Sequence, residues 1–170
     1  MMEKWNDNDR QIFINEVCEA AARINILPFQ IIYKKMQEYD VQVPENYSDE
    51  MDNAIKVLAA IQKYRDVAIA LKLDLVDKRD ELGRLWSFAK SSFMTKDIET
   101  SEQNTVIQKE AVIKVVFPEL FDKKEEAGTN VMCLESIVDN AISKFSTVSR
   151  QVALMEMQIK LGEVESKRRR

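Results

Sequence analysis

Three basic side chains recur at seven-residue intervals in the middle of the chain, at Arg65, Lys72 and Arg79. Seven residues are close to two turns of an α-helix, so these cations would form a line along one face. Such a line suits contact with the phosphate backbone of a nucleic acid, and it is also found on the solvated flank of a coiled coil. The other basic candidates for phosphate contact are Lys63, Arg84 and Lys90, and the terminal residues Lys167, Arg168, Arg169 and Arg170.

The residue types that most catalytic and metal sites need are missing. The chain contains no histidine, which removes Ser-His and Cys-His nucleophile pairs and most zinc sites. Gly83, Gly128 and Gly162 are too far apart to form a phosphate-binding loop. Cys18 and Cys133 lack the spacing of a disulfide framework or a zinc motif. We therefore expect a protein that is not an enzyme and that binds no cofactor or metal.

The chain opens with polar residues and contains no run of about 18 apolar residues, so neither a signal peptide nor a membrane span is expected. Its isolated cysteines fit a reducing compartment. Together these features predict a cytoplasmic protein without membrane contact.

The net charge of −4 conceals a segregation along the chain. Residues 54–96 hold 9 basic and 5 acidic side chains, and residues 130–170 hold 7 and 5. Residues 1–53 hold only 5 basic against 11 acidic side chains, and residues 97–129 hold 4 against 8. The two basic segments are therefore the parts that would face an acidic partner.

The same two segments carry apolar residues in a heptad repeat, with steps that alternate between three and four residues. A repeat of 3.5 residues kept over several heptads predicts two long helices that pack with a left-handed supercoil. Lys78 is the one charged residue in the first repeat. The seam consists of Val57, Ile61, Tyr64, Leu71, Leu75, Leu82 and Leu85 on the first helix, and of Leu134, Val138, Phe145, Val148, Val152, Met155 and Ile159 on the second.

The expected fold is all-α, with a long antiparallel helical hairpin over residues 48–170 and a small N-terminal helical pair over residues 1–47. Ser48 is the expected cap of the first long helix, and Thr129 or Asn130 that of the second. A connecting segment at about 95–129 is expected between them, with polar loops at 95–104 and 122–129. For residues 105–117 a strand is possible, but we prefer a helix because no other segment offers a strand partner.

An antiparallel hairpin with these ends would pair residues whose numbers sum to about 220. Arg65 and Glu156 would then approach each other, because both lie on the flank of the seam. Residues 163–170 follow the last seam position and are expected to fray. The apolar stripes are wider than two helices need, since Ile55, Ile142 and Leu154 flank the seam. The extra width predicts contact with the N-terminal helices and with further copies of the chain.

The N-terminal pair is expected to consist of one helix capped by Asp7 or Asn8 and a second helix over about 28–39. Residues 20–39 have the layout of a helix-turn-helix, with small residues before a short turn and Lys34 and Lys35 on the second helix. The acidic character of residues 1–53 disfavours contact with phosphate. A plain helical hairpin that packs on the long helices is the alternative.

A long helix, a polar break, a shorter helix and a final long helix with Ser149, Arg150 and Gln151 resemble the recombination-mediator protein of T4-like phages. That resemblance implies a ring-forming protein that helps load a recombinase on single-stranded DNA in the host cytoplasm. The possible helix-turn-helix followed by a hairpin resembles the phage small terminase subunit, a ring-forming DNA-packaging adaptor. The sequence thus predicts an oligomeric nucleic-acid-binding accessory protein, with an adaptor that binds only other proteins as the alternative.

Overall fold

The computed structural model describes residues 4–44 and 50–168, apart from the side chains of residues 166 and 167. Over these residues the chain forms six helices and no strand, which confirms the prediction of an all-α fold with two long helices. None of the described helices is both long enough and apolar enough to cross a membrane. The helices are α1 (Asp7–Arg23), α2 (Phe29–Gln37), α3 (Met51–Lys96), α4 (Ile98–Glu102), α5 (Val106–Val116) and α6 (Pro118–Arg168).

The chain divides into two compact units, and each long helix contributes to both. Unit 1 comprises residues 1–28 and 73–132, and unit 2 comprises residues 29–72 and 133–170. The helical pair expected over residues 1–47 is therefore divided, with α1 in unit 1 and α2 in unit 2. The predicted cap of α3, Ser48, lies outside the described residues.

Helix α1 begins one residue earlier than its predicted caps indicate. Asn6 is the N-cap, and its side chain accepts a hydrogen bond from the backbone N–H of Asp9 at 2.9 Å. The backbone N–H of Trp5 donates to the carbonyl of Lys96 at 3.1 Å, which ties the start of α1 to the end of α3. The rings of Trp5 and Phe13 pack against the buried Phe93, with centroids 5.3 Å and 5.9 Å from it. This aromatic cluster holds the two helix ends together in unit 1.

The segment between the long helices is more helical than the sequence predicted. Helix α3 continues to Lys96, and α4 occupies residues 98–102, so the prediction of a polar loop over 95–104 is wrong. The preferred prediction for residues 105–117 is confirmed, since α5 spans Val106–Val116. Thr105 and Gln108 form a capping box in which each side chain accepts a hydrogen bond from the other residue's backbone N–H. That box satisfies two N–H groups at the start of α5.

The acidic loop predicted over 122–129, with a helix cap at Thr129 or Asn130, is also wrong. Helix α6 begins at Pro118 and runs through that segment, because proline suits the first turn of a helix. Instead of forming a turn, polar residues there bind the end of α1 and the segment that follows it. Lys123 Nζ donates to the carbonyls of Ala21 and Ile24 at 2.9 Å and 3.3 Å. The buried Asn130 donates from Nδ2 to the carbonyl of Leu27 at 3.1 Å.

In unit 2 the two long helices pack antiparallel, but in a different register from the predicted one. Lys72 Nζ lies 3.1 Å from Glu135 Oε1, and the Arg65 guanidinium lies 5.4 Å from the ring centroid of Phe145. These numbers sum to 207 and 210, so the predicted approach of Arg65 to Glu156 is wrong. The sum is lower because α6 begins at Pro118, well before the expected start near residue 130, and this outweighs the slightly later end of α3 at Lys96.

The seam is best buried in its middle and opens toward the end of α6. In unit 1 Leu75 and Leu82 are buried and Leu85 is half-buried. Helix α6 continues to Arg168, and the fraying of residues 163–170 stays a prediction. In unit 2 the buried seam residues are Ile61, Leu71, Leu134, Val138 and Val148, the half-buried ones are Val57, Tyr64, Phe145, Val152 and Met155, and Ile159 is exposed.

Candidate anion-binding groove

Four of the six basic side chains singled out on α3 are engaged with carboxylates of their own chain. The ion pairs are Arg65 with Asp66 at 3.4 Å, Lys72 with Glu135 at 3.1 Å, Arg79 with Asp80 at 2.9 Å, and Lys90 with Glu110. These pairs are exposed or partly exposed, so each contributes little to stability. They lower the net positive charge of α3 without removing the cations from solvent.

The line of cations on α3 is divided between the two units. Arg65 and Lys72 belong to unit 2, whereas Arg79 belongs to unit 1 together with Arg84 and Lys90. In unit 2 the exposed Lys63 places its ammonium 5.3 Å from the ring centroid of Tyr39, a cation–π contact. At the end of α6, Arg168 is exposed, while the side chain of Lys167 and residues Arg169 and Arg170 lie outside the described residues.

A groove in unit 1 brings two of the predicted cations together. It lies between α3 and α6 and has a volume of about 930 Å³. Arg79 and Arg84 line it from α3, and Lys124 lines it from α6. The remaining lining residues are Asp80, Gly83, Ser87, Glu125, Gly128, Thr129 and Met132.

Two glycines, one on each helix, leave the floor of the groove open. A Cβ atom added to Gly83 or to Gly128 would meet nothing within 4 Å. The helices therefore do not need these glycines in order to approach each other. A glycine in a helix interior costs about 1 kcal/mol relative to alanine. The effect of the pair is a groove in which both helix backbones are open to a ligand.

The groove carries three cations and two carboxylates, which leaves one net positive charge. Arg79 pairs with Asp80 at 2.9 Å and Lys124 with Glu125 at 2.5 Å. Arg84 is exposed and forms no ion pair within the described part of the chain. Its guanidinium presents a planar set of N–H donors that matches the oxygens of a phosphate. The groove can therefore bind an anion with Arg84 as the first contact.

Lys124 is a site residue that the sequence does not point to, because residues 122–129 have the acidic, glycine-containing composition of a loop. A signal was present, since the apolar repeat of α6 continues backward from Val131 through Ala127 to Leu120. All three of these residues are buried. Extending the repeat would have placed Lys124 on the helix, four residues before Gly128.

Other polar and nucleophilic groups outside the groove have structural surroundings. Burial, followed by the nearby Glu119 carboxylate, raises the pKa of the half-buried Cys18 thiol, which disfavours the reactive thiolate. Among the described residues, no three Cys, Asp or Glu side chains come close enough together to hold a metal ion. Helices α1 and α2, which would form the helix-turn-helix, belong to different units.

Comparisons of the chain with protein-family models, with curated proteins and with solved structures find no match. The geometry and charge of the groove, together with the sequence pattern, are therefore the features that indicate a function.

Proposed function

We propose that this protein is a non-enzymatic, oligomeric accessory protein that binds the phosphate backbone of nucleic acid, preferably single-stranded DNA, in the groove of unit 1. The observation that carries the proposal is Arg84, an exposed guanidinium that no carboxylate of the described chain neutralises. Arg79 and Lys124 flank it, and their weak pairs with neighbouring carboxylates can exchange for phosphate at small cost.

The shape of the groove favours a single strand over a duplex. Packed helices have axes about 8–10 Å apart, so the space between them admits one strand more readily than two. Gly83 and Gly128 let a backbone approach closely, and the exposed Met132 gives the groove an apolar edge for a base. Sequence-independent binding of this kind is expected of a protein that coats or hands over a strand.

A recombination mediator that helps load a recombinase on single-stranded DNA is the specific role that the resemblance in layout suggests. A DNA-packaging adaptor of the small-terminase kind is the alternative within the same class. It would bind duplex DNA, so the preference for single or double strands separates the two roles.

A second class of function, an adaptor that binds only proteins, is supported by a different observation. Lys72 and Lys90 are paired with Glu135 and Glu110, and the groove has only one net positive charge. A surface built to bind nucleic acid usually carries a larger excess of cations. Direct measurement of DNA binding therefore decides between the two classes.

The test is fluorescence anisotropy with a labelled single strand and with the matching duplex at about 50 and 200 mM salt, since phosphate contacts weaken steeply with salt. We expect binding at low salt with a single-strand preference, and a loss of about tenfold or more for Arg84→Glu. Arg23→Glu is the matched control, because Arg23 is an exposed arginine of unit 1 outside the groove. If the unaltered protein binds neither DNA at low salt, the protein-only adaptor is the better description.

A further inference from the structure

The last turns of α6 carry a second apolar stripe, distinct from the seam that faces α3. Leu154, Met157, Leu161 and Val164 are separated by steps of three, four and three residues. Their side chains are 53%, 58%, 64% and 49% exposed. At 3.6 residues per turn, this stripe lies on the side of α6 roughly opposite the seam residues Val152 and Met155, so the prediction that Leu154 flanks the seam is wrong.

Four large apolar side chains in heptad spacing are unusual on a solvated helix. Single exposed apolar residues are common on protein surfaces, but a regular stripe of them marks a contact that the chain alone does not make. The position of the stripe along α6 also favours a contact outside the chain. In the register of unit 2, α6 passes the first residue of α3, Met51, at about residue 156–159. The helix beyond that point has no turn of α3 opposite it.

We infer that the stripe is the surface through which a second copy of this chain associates, with the two α6 helices parallel and in register. This inference specifies the assembly that the proposed function assumes, and it does not depend on the groove. A heptad stripe is self-complementary when two copies align, because each apolar layer then meets its own counterpart. The four layers would bury Leu154, Met157, Leu161 and Val164 against the same residues of the second copy.

The charges beside the stripe favour the parallel arrangement. If Leu154 and Leu161 occupy the a positions, Lys160 is a g position and Glu165 is the e position of the following heptad. In a parallel pair these positions face each other across the interface, so Lys160 of each copy meets Glu165 of the other. In an antiparallel pair centred on the stripe, Lys160 would lie near Lys160 of the second copy, and like charges would oppose association. Both side chains are exposed and accessible to a partner.

Disulfide cross-linking tests the arrangement directly. In a background with Cys18→Ser and Cys133→Ser, Leu154→Cys should form a disulfide with itself under mild oxidation, because parallel packing brings the two Cα atoms within bridging distance. Met132→Cys, on an exposed position of unit 1, is the control that should not cross-link. Cross-links that form only when Leu154→Cys is mixed with Val164→Cys would show an antiparallel pair and overturn the inference.

Sedimentation equilibrium of the full chain without DNA tests the site and its charges. We expect association in the micromolar range, weakened at least tenfold by Leu161→Asp. Lys160→Glu and Glu165→Lys should each weaken association about threefold, as exposed ion pairs do, and the double exchange should restore it. Circular dichroism would establish that each variant keeps its helix content.

Two results would contradict the inference: a protein that stays monomeric at about 100 μM, or an oligomer whose mass Leu161→Asp does not change. Either would leave DNA binding in the groove untouched, because the sedimentation samples contain no DNA. Conversely, an Arg84→Glu variant that self-associates normally but fails to bind DNA would show that DNA binding in the groove and self-association through the stripe are independent.

Discussion

Arg10 donates a hydrogen bond from Nε to Oδ1 of Asp97 across 2.6 Å, joining the first turn of α1 to the residue between α3 and α4. Asp97 is almost completely buried, and its second oxygen caps α4 by accepting from the backbone N–H of Thr100 at 2.8 Å. One carboxylate therefore fixes the N-terminal helix and the turn after α3 at the same time. The Arg10 guanidinium also lies 5.7 Å from the ring centroid of Phe93, within the aromatic cluster.

Removal of Arg10 should destabilise unit 1. Arg10→Ala leaves the Asp97 carboxylate buried without its cation, and we expect a loss of about 1–3 kcal/mol in the free energy of unfolding. Asp97→Asn in the Arg10→Ala background should recover part of that loss, because it removes the buried charge. Urea unfolding measures both variants, with Arg23→Ala as a control on the same helix. Equal effects of Arg10→Ala and Arg23→Ala would show that the pair with Asp97 contributes little.

The same carboxylate predicts a loss of stability in acid. Burial on its own raises the pKa of Asp97, but the hydrogen bonds from Thr100 and the Arg10 guanidinium outweigh it and hold the pKa below its ordinary value. A depressed folded pKa stabilises the protein fully above the unfolded pKa of about 4, and this stabilisation is lost as the pH falls through the folded value. Unfolding followed from pH 5 to pH 2 should therefore become steeply easier below about pH 4.

The pKa of a second carboxylate is also lowered, so its contribution to the acid dependence needs a control of its own. Hydrogen bonding to Lys90, followed by the charge of that lysine, lowers the pKa of Glu110, whose side chain is partly exposed. We expect Asp97→Asn to flatten the acid dependence of stability more than Glu110→Gln does, because Asp97 is buried and Glu110 is in contact with solvent. If Glu110→Gln flattened it more, the buried pair would not be the main acid-sensitive contact.

Local signals in the sequence predicted the helices well where a cap or a repeat was strong. Thr105 and Gln108 form the kind of box that starts a helix, and α5 begins there as expected. Pro118 is ambiguous in the sequence, because a proline can either follow the end of one helix or begin the next. The segment after it is polar and contains Gly128, but buried Leu120 and Ala127 keep it helical. Packing against neighbouring helices overrides local propensity there.

The groove could not be predicted because it depends on register. Arg79 and Arg84 were visible as cations, but their neighbour Lys124 lies 40 residues beyond Arg84 in the chain. Only the exact ends of α3 and α6 decide which residues of the two helices face each other. Heptad repeats fix which face is buried, but they allow a shift by one or more heptads with the same pattern. The predicted sum of about 220 exceeds the observed 207–210 by 10–13 residues, between one and two heptads.

The buried amide of Asn130 predicts a second sensitive point in unit 1. Its Nδ2 donates to the carbonyl of Leu27, and Asn130→Ala would leave that carbonyl without the bond. We expect a loss of about 1–3 kcal/mol in the free energy of unfolding, the usual cost of an unsatisfied buried polar group. Asn140→Ala, an exposed asparagine on the same helix, is the matched control and should change stability by less than about 0.5 kcal/mol.

The open floor of the groove predicts that alanine in place of its two glycines stabilises the protein. Gly83→Ala and Gly128→Ala should each raise the free energy of unfolding by about 0.5–1 kcal/mol, because alanine favours the helix and its Cβ meets nothing within 4 Å. Gly162 has the same open surroundings outside the groove, so Gly162→Ala should stabilise the protein to a similar extent. Urea unfolding of the three variants measures this effect.

A larger side chain at the same position separates the ligand site from helix stability. Gly83→Leu should occupy the floor of the groove and weaken single-stranded DNA binding by about tenfold, the effect of about 1.4 kcal/mol of lost contact. The helix should remain at least as stable as in the unaltered protein, since leucine is a strong helix former. Gly162→Leu is the control for added apolar bulk elsewhere on α6. DNA affinity that is unchanged in Gly83→Leu but reduced in Arg84→Glu would place the strand on the outer face of α3 rather than between the two helices.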